Sequence, residues 1–261
     1  MLLCLHRPPD ATGPVGGSYQ GSARAENLVG YLMRTSQRGG APDLKLVCLK
    51  GNHEDIMWQC CRQPIKVGWW MDNGGGATLI SYGQNYGDIV NVKVVPEQHL
   101  RWIDALPLMH VDRHRVYVHA GVDPDLPLAA QDPHQLLWKI YKGPDQRGHG
   151  TRHVVHGHHQ IRDGPVTIEG RTNLDTQAWY TGRLAIGVFD DEVAGGRYPF
   201  SRFMASPSRA KRSELEHDSF ASTLPGSIGG EVVVANMDGP DPDSGMCCFG
   251  RPLILTPAQT G

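Results

Sequence analysis

The middle of this chain predicts an α/β domain, on three observations. Helix-spaced apolar residues alternate with short strand-like runs from Ala25 to Asp191. Several of those runs end directly in loops bearing Asn or His, the arrangement of a sheet fold with its site at the strand ends. The flanks change texture to Gly, Ser and Pro, which bounds the periodic part.

In chain order, the first helix is predicted over Arg24–Arg34, where Leu28, Tyr31 and Leu32 fall at helical spacing. Leu44–Leu49 is a short buried-type strand. Asp55–Gln63 reads as a helix that stops before Pro64. Pro96 opens the next helix, with Leu100, Ile103 and Leu106 on one face and Pro107 as its stop. Arg115–His119 alternates as a strand, and His153–His156, Val166–Glu169 and Leu184–Phe189 are further strands. Residues 1–16 form an irregular N-terminal segment in this reading, 17–194 the domain, and 195–261 a low-order tail. Only Glu231–Ala235 looks strand-like in that tail, and neither end is expected to build a packed core. There is no internal repeat.

The formal net charge of the 261 residues is -2, which argues for no nucleic acid and no membrane surface. The six cysteines form neither a zinc pattern nor a spaced disulfide framework, so free thiols are expected. No stretch has the apolar length of a membrane helix, and a cytoplasmic location is the expectation. The 13 histidines are the unusual count; His6, His99, His134 and His217 are expected at the surface.

Three motifs could carry chemistry. Gly51-Asn52-His53-Glu54 follows the first strand of the domain: the Asn oxygen is a neutral ligand for a hard cation, and the His could protonate a leaving oxygen. The same four residues also read as a Gly-Asn turn opening a helix, with Glu54 in its first turn. His119-Ala120-Gly121 follows a second strand, its small pair leaving room for a metal beside the His; a satisfied strand-end histidine is the plainer reading. Third is His156-Gly157-His158-His159, where alternation puts His156 and His158 on one face if the strand continues.

Taken in order, these motifs resemble the calcineurin-like metallophosphoesterase superfamily. Gly75–Gly83, Leu136-Leu137-Trp138, Asn173–Thr176 and Tyr180–Leu184 narrow the resemblance to the bacterial branch of serine/threonine protein phosphatases and symmetrical diadenosine tetraphosphatases. The resemblance implies two packed mixed β-sheets flanked by helices, N-terminally incomplete here. It implies two divalent cations, manganese or iron with zinc variants, and a phosphorylated substrate, either a phosphoprotein or a dinucleoside polyphosphate; a single His-rich site of the kind left here would also suit zinc or nickel. It assigns Asn52, His119 and His158 as metal ligands, His53 as proton donor and Glu54 as support, leaving His156 and His159 outside the ligand set.

The sequence departs from the family at its start. The family's G-D-x-H-G loop has no counterpart before Leu44. Its G-D-x-x-D-R-G motif aligns with Gly17–Ala23, so Ser18 stands at the bridging carboxylate, Gly21 at the Asp that orients the catalytic His, and Ser22 at the phosphate-binding Arg. Gln177 replaces a family glycine, and Lys139-Ile140 a pair containing Arg. Fewer than two ions and impaired turnover are therefore expected, with a non-catalytic binding scaffold as the alternative.

Overall fold

The computed structural model describes residues 2–7, 25–37, 45–63, 67–85, 87–142, 147–177, 183–190, 193–195, 201–205, 231–236, 239–241, 246–248 and 253–256. Strand β1 (Leu2–Arg7) precedes helix α1 (Ala25–Gln37), strand β2 (Lys45–Cys48) and helix α2 (Asn52–Arg62). Helices α3 (Val67–Trp70) and α4 (Gly76–Ser81) flank a kink at Met71–Gly75, and α5 (Glu97–Asp104) follows. Next come β3 (Met109–Val111), β4 (Arg115–Val118), α6 (Pro133–Trp138), β5 (His153–His156), β6 (Val166–Ile168), β7 (Arg171–Asn173) and β8 (Arg183–Asp190). Five strands complete the chain: β9 (Ser201–Ala205), β10 (Glu231–Asn236), β11 (Gly239–Asp241), β12 (Met246–Cys248) and β13 (Leu253–Thr256).

The fold is α/β, with a five-stranded mixed sheet in the order β3-β4-β5-β7-β6. Its inner strands β4, β5 and β7 run parallel, and β3 and β6 pair antiparallel at the edges. Every residue of β4 and β5 is buried, because parallel strands are covered on both faces. Alternation sorts their side chains. Val116, Val118 and Val154 pack with Val122 and with Leu136 of α6. Tyr117 and Val155 point the other way and join Leu49, Leu174, Ala185 and Phe189, so this cluster joins the mixed sheet to β2 and β8 of a second sheet. The helices α2 to α5 share a core of their own, including Ile56, Met57, Trp70, Leu79, Leu100 and Ile103.

The second sheet has the order β13-β2-β1-β10-β8-β9. Its pairs are all antiparallel, a correction to the two mixed sheets expected. The cause lies in the end segments. β1 pairs on one side with β2 and on the other with β10, inserting between them antiparallel to both. Leu2-Leu3-Cys4-Leu5 is a continuous apolar run that can fill a central strand, although its brevity and the Pro8-Pro9 behind it mask that in the sequence. The strand at 231–235 expected in the tail is β10. The structure also takes β9 and β13 from that tail, which the sequence reading did not anticipate.

His99 corrects another expectation. It is buried on α5 rather than exposed, and its Nδ1 lies 3.0 Å from the Tyr82 hydroxyl. His134 is exposed as expected; the side chains of His6 and His217 lie outside the described residues. Cys48, Cys60 and Cys61 are free thiols, and burial pushes the Cys61 thiol up to about 12. No helix among the described residues is long and apolar enough to cross a membrane.

Candidate functional site

Asn52, His119 and His158 come from three separate strand-end loops. Asn52 opens α2 just past β2, His119 follows β4, and His158 follows β5. Parallel pairing of β4 with β5 brings their ends to the same edge, and the Gly157 amide donates to the His119 carbonyl at 2.9 Å to hold those loops together. Asn52 Oδ1 lies 2.8 Å from His119 Nε2, and the His119 and His158 rings stand 5.0 Å apart between centroids. The three residues thus meet at one place.

Glu54 and Gly51 shape the Asn52 loop. The buried Glu54 carboxylate accepts the Gly51 amide at 2.9 Å, which draws the start of α2 back to Asn52 from the expected Asp55. A methyl group at Gly51 would stand 2.7 Å from Glu54 Oε2 and 3.1 Å from His119 Nδ1. Gly121 serves a different end from the one its sequence suggests. A Cβ there would meet the Tyr141 ring at 2.7 Å, so its small size admits Tyr141 rather than making room for a metal.

The histidine run also departs from alternation. β5 ends at His156, and His158 adopts a left-handed φ of 62°, so the two side chains diverge. His156 is fully buried, with Nδ1 donating to the Gly157 carbonyl at 2.9 Å and Nε2 accepting from Arg171 at 3.1 Å. Both nitrogens are engaged, and burial, aided by Arg171, brings its pKa down to about 3. His159 is half-buried, and its backbone carbonyl accepts Asn173 Nδ2 at 2.6 Å. Ser18, Gly21 and Ser22 lie outside the described residues.

Burial holds the His119 imidazole well below its usual pKa, and the neighbouring His158, His53 and His156 rings act in the same direction. It is therefore neutral at pH 7, the form that donates a lone pair to a metal. Its contact with Asn52 has two readings. With the proton on Nε2, His119 donates to Oδ1 and leaves Nδ1 buried without a partner. With the proton on Nδ1, Nε2 either accepts from the Asn52 amide turned to present its NH2 group or shares a cation with Oδ1. Two ligands about 2.1 Å from one octahedral ion stand about 3 Å apart, near the 2.8 Å separation, whereas tetrahedral ligands would stand about 3.4 Å apart.

Among the described residues the donor set at this place is two histidines and one asparagine. No group of three or more His, Cys, Asp or Glu side chains is placed to hold a metal among the described residues. Asn52, His119 and His158 are neutral as ligands, and among the described residues no carboxylate joins the two histidines to offset the charge of a second dication.

Sequence reasoning missed the aromatic surroundings. Trp138 stands edge-on to His158, with centroids 5.8 Å apart, and Trp69 lies 5.6 Å beyond Trp138. Arg171 lies 4.1 Å from the centre of the Tyr141 ring, beneath the His119 turn. The only sequence signal was Leu136-Leu137-Trp138, which entered as part of a family resemblance. A cavity of about 1090 Å³, lined in part by Lys142, Arg152, His153 and Glu169, lies at the start of β5, whereas His158 lies past its end. Compared with protein-family models, curated proteins and solved structures, the chain has no match.

Proposed function

We propose that this chain is a metallophosphoesterase-type hydrolase of phosphate monoesters or anhydrides that keeps half of a two-metal site and turns over slowly. The observation that carries the reading is the 2.8 Å approach of Asn52 Oδ1 to His119 Nε2, with His158 beside them, at neighbouring strand ends. Two further observations support it. A mixed sheet shares a buried cluster with a second sheet and carries α6 on its other face, an α/β arrangement that supports the reading. Gln177 stands where that family has glycine and holds a φ of 55°, a conformation that favours glycine.

A divalent ion bound at this centre, manganese first among the candidates, supplies polarisation of a phosphoryl oxygen and a more acidic water. The chain's own residues do the rest. Asn52, His119 and His158 would hold the ion, and Glu54 fixes the loop that carries Asn52. His53, half-buried at the start of α2 beside His119, would give a proton to the leaving oxygen. General acid catalysis of this kind supplies about 10²–10⁴-fold, a small part of what phosphate ester hydrolysis needs. The neutral donor set also favours a second reading, a scaffold that binds a phosphorylated ligand without turnover. A cytoplasmic site of action belongs to the same proposal.

The test is hydrolysis of an activated aryl phosphate with manganese. The expected result is slow turnover, lost in His53→Ala and in His119→Ala. Turnover unaffected by both substitutions and by chelator would overturn the reading.

A further inference from the structure

The cavity at the start of β5 has no part in the chemistry just described. Its volume is about 1090 Å³, and it sits where the parallel strands β5 and β7 begin: His153 opens β5, and Gly170 directly precedes β7. His119 and His158 lie past the opposite ends of β4 and β5. A strand rises about 3.3 Å per residue, so roughly 10 Å of β5 separates the two places.

Positive charge gathers at this cavity, although the whole chain carries a formal net charge of -2. Lys142, Arg147 and Arg152 line it, and Glu169 is the one carboxylate among its described lining residues. Arg115 adds a cation behind the wall. It pairs with His153 across β4 and β5, and its Nε donates to the carbonyl of the lining Gly195 at 3.2 Å. Burial, with the charge of Arg115, keeps His153 neutral at pH 7, so it adds no charge of its own.

These cations are open to a ligand. Among the described residues Lys142 Nζ has no hydrogen-bond or ion-pair partner, and the Arg152 guanidinium has one, its Nε donating to the Asp112 carbonyl at 3.1 Å. That bond orients the group and leaves both terminal nitrogens to donate. The backbone behind it is a tight turn: His149 and Arg152 exchange two hydrogen bonds, of 2.9 and 3.0 Å, across Gly150-Thr151, with Gly150 at a φ of 59°. Arg147 meets Asp125 at 2.8 Å, an exposed pair of the kind that contributes little and exchanges readily. Glu169 is exposed and pairs with none of the three.

We propose that this cavity binds a small polyanion, a ligand carrying at least two phosphate or carboxylate groups, at a site separate from the strand-end centre. The volume lies at the upper end of the roughly 300–1,000 Å³ usual for small-molecule sites, which leaves room for more than one anionic group. Lys142 follows α6, whereas Arg147 and Arg152 flank the turn, so a ligand with several anionic groups can engage cations carried on separate segments. Guanidinium donors take carboxylate and phosphate alike. The inference does not depend on the metal reading of His119 and His158.

The test is calorimetry on the full chain stripped of divalent ions, so that no anion binds through a metal at His119. The probes are inorganic tripolyphosphate and citrate, with acetate as the single-charge control. At least one polyanion is expected to bind about tenfold or more tightly than acetate, and the tighter of the two identifies phosphate or carboxylate as the preferred group. Lys142→Gln and Arg152→Gln should each weaken that binding by about threefold to thirtyfold. Glu169→Gln removes the one lining carboxylate and should strengthen it by about threefold, a gain that misfolding cannot produce. His119→Ala should leave it unchanged. Polyanions binding no more tightly than acetate, affinity unmoved by both Lys142→Gln and Arg152→Gln, weaker binding in Glu169→Gln, or binding lost in His119→Ala would overturn the proposal.

Discussion

At His153 burial works against charge. The ring opens β5 with Nε2 2.9 Å from the Thr172 hydroxyl, and desolvation, with Arg115 nearby, lowers its pKa to about 4. In the unfolded chain the same group titrates near 6.5. The unfolded state therefore binds the extra proton first as pH falls. His153 contributes full stability above about pH 6.5 and loses it progressively towards pH 4, by about 1.4 kcal/mol per pH unit. Urea unfolding should show the midpoint falling across that window, with the fall reduced by about 2–3 kcal/mol in His153→Gln. An identical pH profile in the variant would contradict the assignment. At this scale the sequence was a partial guide. It named Asn52, His119 and His158, which do meet, because strand-end loops are local features. It placed His99 at the surface, since only tertiary packing brings Tyr82 to its ring.

At the scale of elements, α2 is where fold and site meet. Its start is fixed by the Glu54 carboxylate on the Gly51 amide, and the same turn presents Asn52 to His119. Gly51 has an extended φ of -104°, which alanine also adopts, so the obstacle to Gly51→Ala is space alone. The added methyl would press on Glu54 and on His119. Overpacking of this kind costs about 1–3 kcal/mol. Thermal unfolding should show that loss, and manganese affinity should fall with it, because either neighbour must move. A variant as stable as the parent, with unchanged manganese affinity, would show that the loop is looser than described. Helices with a clear apolar face and proline punctuation, such as α5, were legible in the sequence. The four-residue α3 and the short α6 were not, because neither spans enough turns for a period to show.

For the whole molecule, the main surprise is how the ends are used. β1 lies between β2 and β10, so strands from opposite ends of the chain close one sheet. Sequence patterning is local and reports no pairing across more than two hundred residues, which is why Gly- and Pro-rich flanks concealed these strands. Proline in a strand paired on both sides removes a ladder hydrogen bond. Cys4→Pro, opposite Val234 on one side and Val47 on the other, should therefore cost about 1–3 kcal/mol, read from chemical denaturation. An unchanged midpoint would mean that β1 is not part of the cooperative fold. The mixed sheet and its strand-end loops carry the central claim, that one divalent ion is held by Asn52, His119 and His158. Manganese stoichiometry on the metal-free chain, with His119→Ala and His158→Ala beside it, tests that claim most directly. The account predicts one ion per chain, lost in both variants; two ions per chain, or one ion retained in both variants, would contradict it.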